Sequence, residues 1–136
     1  MSEQENLRTV QQLFECFGRG DVPGLLRLLS DDVDWHIKGP ASVPYFGPRT
    51  GHDGALDFFA KLGTSVEFES FTPETFLAGG DHVVVIGSER GRVRATGKSF
   101  ENPWIMAFTL RDGKITRFRS YEDTAAVAEA FRRSSQ

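Results

Sequence analysis

The 136-residue sequence has one cysteine, Cys16. No internal disulfide can form and no zinc site of several thiolates can be built, so a reducing, cytoplasmic setting is expected. Its histidines, His36, His52 and His82, lack metal-ligand spacing, and no metal is expected. No apolar run approaches the length of a membrane-spanning helix, and the start MSEQENLRTV lacks the apolar core of a signal segment. A formal net charge of −3 gives no electrostatic case for nucleic acid or an anionic membrane as a partner.

Phenylalanine is the residue in surplus, with 12 in the chain. So many rings in one small domain predict a core or pocket walled by aromatic faces. The length suits a single domain over residues 1–136.

Leu7, Val10, Leu13, Phe14 and Phe17 recur at helical spacing and stop at GRGD, where Asp21 is placed to cap a second helix over DVPGLLRLLS. A strand, VDWHI, follows, then the Gly/Pro-rich loop KGPASVPYFGPRTG and a third helix with Ala55, Phe58, Phe59 and Leu62 on one stripe. From Thr64 the pattern turns to alternation broken at AGGD, TGKS and LRDGKI, which predicts an antiparallel meander of four strands. A short closing helix is expected over EDTAAVAEAF, with Asp123 as its cap. The class is α+β, with helices on one face of a curved antiparallel sheet.

The stretches FGRGDVPGLLRLLSDDVDW, PYFGPRTGHDGALDFFAKL, TGKSF and FTLRDGKITRFRSYEDTAAVAEAF resemble the SnoaL-like branch of the nuclear transport factor two-like superfamily, which includes ketosteroid isomerase. The resemblance implies a cone-shaped roll: a strongly curved, mainly antiparallel sheet with three helices in the N-terminal half and a short C-terminal helix around an apolar pocket. It also implies a homodimer through the outer sheet face. The family includes isomerases, polyketide cyclases, epoxide hydrolases and proteins without known activity.

The isomerase's phenol donor, general base and oxyanion acid match Leu13, Ile37 and Met106 here. None of these side chains can exchange a proton, so the resemblance implies the fold and not that mechanism. The epoxide hydrolases' Arg-x-Asp strand matches GSERGRVRA, which has no aspartate. Family cyclases use an aspartate near the C-terminal end with a histidine, a role open to Asp123 or Glu122.

Alternation that carries Ile37 inward carries Val33 and Trp35 with it and leaves Asp34 and His36 on the opposite face. On the later strands Trp104, Met106 and Phe108 share one face, as do Phe118, Ser120 and Glu122. The pocket is therefore expected to draw on Trp35, Ile37, Phe59, Trp104, Met106, Phe108, Phe118 and Ser120, each with plain core packing as the alternative. Tyr45 and Phe46, in the Gly/Pro loop, read as a lid over it or as loop anchors. Arg90, Arg92 and Arg94, Arg117 and Arg119, and Glu67 and Glu69 read as cross-strand charge pairing.

Candidate proton-transfer groups are Glu122, Asp123, Tyr121 and His36, with Glu122 favoured because it shares a face with Phe118 and Ser120. The functional expectation is cofactor-free isomerase, cyclase or hydrolase chemistry on a small apolar compound of polyketide, terpenoid or steroid-like type. The alternative is a non-catalytic protein that binds a hydrophobic small molecule.

Overall fold

The computed structural model describes residues 2–133. Helix α1, Glu3–Arg19, opens on a capping box in which Ser2 and Glu5 satisfy each other's backbone amides, and it closes on Gly20 at φ 70°. Its buried stripe is Asn6, Val10, Leu13 and Cys16, with Phe14 and Phe17 packed beside it. Asp21 caps α2, Val22–Leu26, through the Gly24 amide at 2.9 Å.

This second helix is shorter than the leucine pattern predicts. Leu29 already pairs with Ile115, and the Ile115 amide donates to the Leu28 carbonyl at 2.9 Å, so sheet pairing takes the chain before another turn can form. Strand β1, Leu29–Ile37, follows, then a short β2, Gly47–Thr50, inside the stretch expected to be loop. Helix α3, Gly51–Ser65, buries Ala55, Phe58 and Leu62.

The meander is β3, Val66–Gly79; β4, His82–Val93; β5, Ser99–Arg111; and β6, Lys114–Glu122. Gly80, Gly97 and Gly113 all take positive φ at its turns, as the sequence requires. Helix α4, Thr124–Phe131, closes the described chain, with Asp123 accepting from the Ala126 amide at 3.0 Å.

All six strands form one curved open sheet in the order β2-β1-β6-β5-β4-β3, antiparallel throughout except where β1 runs parallel to β6. Register shifts interrupt β3 between Phe68 and Ser70 and between Pro73 and Thr75. Such bulges bend a strand and raise its twist, which lets the sheet wrap the helices. The α+β cone class is therefore the observed one.

On the outer face, Arg92 meets Glu67 at 2.8 Å, Arg90 meets Glu101 at 2.9 Å, and Arg119 meets Asp34 at 2.8 Å. Arg90, Arg92 and Arg119 of the alternating arginines thus pair with carboxylates on neighbouring strands, while Arg94 donates to the Gly63 carbonyl.

Inside the bend, Trp104 lies directly across from Gly87 and stacks parallel to Phe14 of α1, ring centres 6.0 Å apart. A Cβ at position 87 would come within 2.5 Å of both the Trp104 ring and the Thr72 carbonyl oxygen. The backbone oxygen cannot step aside, so Gly87→Ala is expected to destabilise the protein by about 1–3 kcal/mol. Urea unfolding measures this; an unchanged midpoint would show that Trp104 does not lock β4 to α1.

Candidate functional site

The inward faces of β4, β5 and β6 are apolar apart from a few polar side chains that meet one another. On β4 the inward positions are Val83, Val85, Gly87, Glu89, Gly91 and Val93. On β5 they include Asn102, Trp104, Met106 and Phe108, and on β6 Phe118, Ser120 and Glu122. Register places Glu89 opposite Asn102, and Glu122 opposite Trp104, one inward step along β5 from Asn102.

The carboxamide of Asn102 thus lies between two carboxyl groups. Its Nδ2 donates to Glu89 Oε2 at 3.1 Å and to Glu122 Oε1 at 3.0 Å, while its Oδ1 accepts from the Asp123 amide at 3.0 Å. Glu122 Oε2 accepts from the Ser120 hydroxyl at 2.5 Å. Asn102 is 1% exposed and Glu89 9%.

Burial penalises ionised carboxyls and pushes both pKa values up. Glu89 rises to about 8, first through burial and then through the like charge of Glu122, with Asn102 opposing. Glu122 is also raised by burial, but Ser120 and Asn102 both hold it down. Two donors favour the charged form of Glu122 where Glu89 has one, so near neutral pH Glu89 keeps the proton and Glu122 is the more readily ionised.

Both carboxyls line an internal cavity of about 50 Å³. Its wall is otherwise almost wholly apolar and includes Leu13, Trp35, Ile37, Phe58, Phe59, Met106, Phe108 and Phe118. Trp35 stacks on Phe118 with ring centres 4.0 Å apart. Tyr45 also lines the cavity; it is 3% exposed, and burial and the two nearby carboxyls raise its phenol pKa. Among the described residues neither the Tyr45 hydroxyl nor the Trp35 indole N–H has a hydrogen-bond partner.

The space would hold a few waters, whereas a benzene-sized guest needs roughly 150 Å³. Phe14, Phe17, Phe68 and Phe71 line both this cavity and a surface groove of about 410 Å³ between α1 and β3. A ring-sized ligand would fit here only if these side chains turned aside.

Of the sequence candidates, the structure puts Glu122, Trp35, Ile37, Tyr45, Phe59, Met106, Phe108 and Phe118 on the cavity wall. Ser120 is buried and reaches the site through Glu122. Five other candidates lie off the cavity wall, His36 among them on the outer face that strand alternation predicts. Trp104 is 1% exposed but sits behind the wall against Gly87 and Phe14, so it packs the core. Phe46 is buried against Gly39, away from the cavity lining. Tyr121 is 60% exposed on the outer sheet face, opposite in parity to Glu122. His36 lies on that outer face too, lining a surface groove with Lys38, Arg117 and Arg119. Asp123 caps α4 and donates its amide to Asn102.

Arg49 decides the role of the Gly/Pro loop. Its guanidinium donates to the carbonyls of Pro44 and Tyr45 at 3.1 and 2.9 Å and to Asp57 of α3 at 3.1 Å, which ties Tyr45 in place as an anchored wall.

Glu89 and Asn102 are the site residues that the sequence reading passed over. Glu89 stands between Ser88 and Arg90 in a stretch that reads as surface charge, yet it has the parity of Val83 and Val85. That parity was the available signal.

The SnoaL-like domain model matches residues 10–118. An NTF2-like protein of Burkholderia xenovorans superposes with a TM-score of 0.90 at 39% identity, covering 97% of this chain and 99% of that one. TerC, in a crystal structure with polyporic acid, superposes with a TM-score of 0.83 at 28% identity, over 93% of this chain and 98% of TerC. The uncharacterized protein YesE of Bacillus subtilis is 30% identical over 83 residues, which are 60% of this chain and 56% of YesE. With most of its length matched by the family model and its cone shared nearly end to end with an NTF2-like relative, this chain belongs to the SnoaL-like domain family.

Proposed function

We propose that the protein binds a small organic molecule with an apolar ring body in this cavity and performs cofactor-free proton transfer on it. Glu122 is the proton-accepting group and Glu89 the proton-holding partner. The observation that carries this reading is the Glu89–Asn102–Glu122 arrangement: two buried carboxyls of unequal hydrogen bonding on the wall of a cavity lined by rings. TerC's co-crystal with polyporic acid supports a small-molecule ligand. The unpartnered Tyr45 hydroxyl supports a ligand with a polar atom near the carboxyls. Asp123 is a structural cap in this reading, because its carboxylate already accepts from the Ala126 amide at 3.0 Å.

Assembly as a homodimer belongs to the same reading. Ile86, Ile105 and Tyr121 lie directly across from one another on β4, β5 and β6, all exposed on the outer face. Such an apolar stripe in a charged surround suits a subunit contact.

Three outcomes are expected. The first concerns stability. A carboxyl whose pKa is raised by folding costs stability between its unfolded and folded pKa values, because the unfolded chain gives up the proton first. Glu89→Gln should therefore raise the unfolding free energy at pH 8, by on the order of a few kcal/mol, and leave it nearly unchanged near pH 4.5, as urea unfolding at the two pH values measures. A pH-independent difference would place Glu89 in ordinary solvent.

The second concerns chemistry and uses 2-tetralone in D2O as a carbon-acid probe, followed by proton NMR. The protein should speed exchange of the α-protons over buffer, Glu122→Gln should remove at least about 100-fold of that acceleration, and Asp123→Asn should retain it. Equal exchange by the Glu122 variant would refute the assignment. The third is a dimeric mass by light scattering at micromolar concentration, with Ile105→Asp shifting it to monomer; a monomeric parent protein would count against the outer-face contact.

A further inference from the structure

Among the described residues, the titratable groups of the cavity wall are Glu89 on β4, Glu122 on β6 and Tyr45 in the loop before β2, and no lysine, arginine or histidine lines it. Among the described residues the basic groups around it stay outside the lining: Arg49, 5.8 Å from the Phe58 ring centre, is paired with Asp57, and His36, Lys38, Arg117 and Arg119 border a separate outer groove that Glu122 also touches, with Arg119 paired with Asp34. Among the described residues the side-chain partners of the buried carboxyls are neutral, Asn102 and Ser120, and Glu89 Oε1 has no donor. A buried acid pair without a counter-charge keeps a proton that it would release to solvent when a cation binds beside it.

The rest of the wall has the same electrostatic preference. Aromatic ring faces carry negative quadrupole potential and attract a desolvated cation. Trp35, Phe58, Phe59 and Phe118 form a contiguous set with ring-centre separations from 4.0 to 5.6 Å. Beside the acids, the buried Tyr45 hydroxyl has no partner, and its oxygen can accept a hydrogen bond. Acid pair, phenol oxygen and ring faces are independent features that all suit one ligand group.

We propose that the ligand is an organic cation, a protonated amine on an apolar ring body, whose ammonium group sits between Glu89, Glu122 and Tyr45. The ammonium brings three N–H donors to a place rich in acceptors, and the ring body replaces the phenyl contacts that must open to admit it. This inference rests on the cavity being the ligand site proposed above and is independent of whether the bound molecule is turned over.

Benzylammonium and benzyl alcohol test it, since they are nearly isosteric and demand the same opening of the phenyl wall. Calorimetric titration at pH 8 should show benzylammonium binding at least about tenfold more tightly, a difference of about 1.4 kcal/mol. The preference should grow as pH rises from 5 to 8 and the carboxyl pair ionises, while the affinity for benzyl alcohol stays level or falls. The Glu89→Gln/Glu122→Gln double variant should lose the preference and keep its affinity for benzyl alcohol, which also reports that it is folded. Equal affinities, tighter binding of the alcohol, or a preference that survives in the double variant would overturn the cationic ligand and leave the ring-binding cavity standing. Failure of both probes to bind would overturn the cavity as a ring site and this inference with it.

Discussion

One carboxamide holds the polar end of this molecule together. Asn102 donates to a carboxyl on each neighbouring strand and accepts from the first amide after β6, so it links β4, β5, β6 and the start of α4 from a position closed to solvent. Two acids buried side by side would repel if both were ionised, and among the described residues neither has a basic partner. The fold tolerates them because each can give its charge to a proton and each accepts a hydrogen bond from the same neutral group. A buried polar network of this kind is stable only when its members are satisfied, and every Asn102 hydrogen-bonding group is used but for one acceptor lone pair.

The bend of the sheet brings this network against the rings. Bulges in β3 let the outer strands curl toward α1, so that Phe14 and Phe17 of the helix meet Phe68 and Phe71 of β3 across the cavity mouth. The same curvature demands a residue without a side chain at Gly87, where Trp104 crosses the strand. Arg49 fixes the opposite wall by gathering the carbonyls of the loop that carries Tyr45. An apolar space with a polar end results from these three devices acting on one sheet.

Much of the architecture was legible because it follows from local rules. Helical spacing located α1 and α3, glycine located the turns of the meander, and Asp21 and Asp123 announced the helix starts they cap. Parity placed Trp35 with Ile37, and Phe118 with Glu122, on inward faces. The same rule misassigned Trp104 only in part, since inward it is, but behind the cavity wall. Strand β2 and the early end of α2 were not legible, because both arise from pairing with strands distant in sequence.

By itself, then, the sequence determined the class of fold, the order of its helices and long strands and, for most positions, which side of those strands meets the core, because these depend on periodicities of a few residues. The meeting of Glu89, Asn102 and Glu122 was decided by the tertiary structure. These residues lie on three strands whose register is set by turns, bulges and the packing of the whole sheet, and register is a non-local quantity. The same holds for their protonation: a glutamate in GSERG and one in SYEDT look alike as sequence, and only burial without a counter-charge makes them an acid pair.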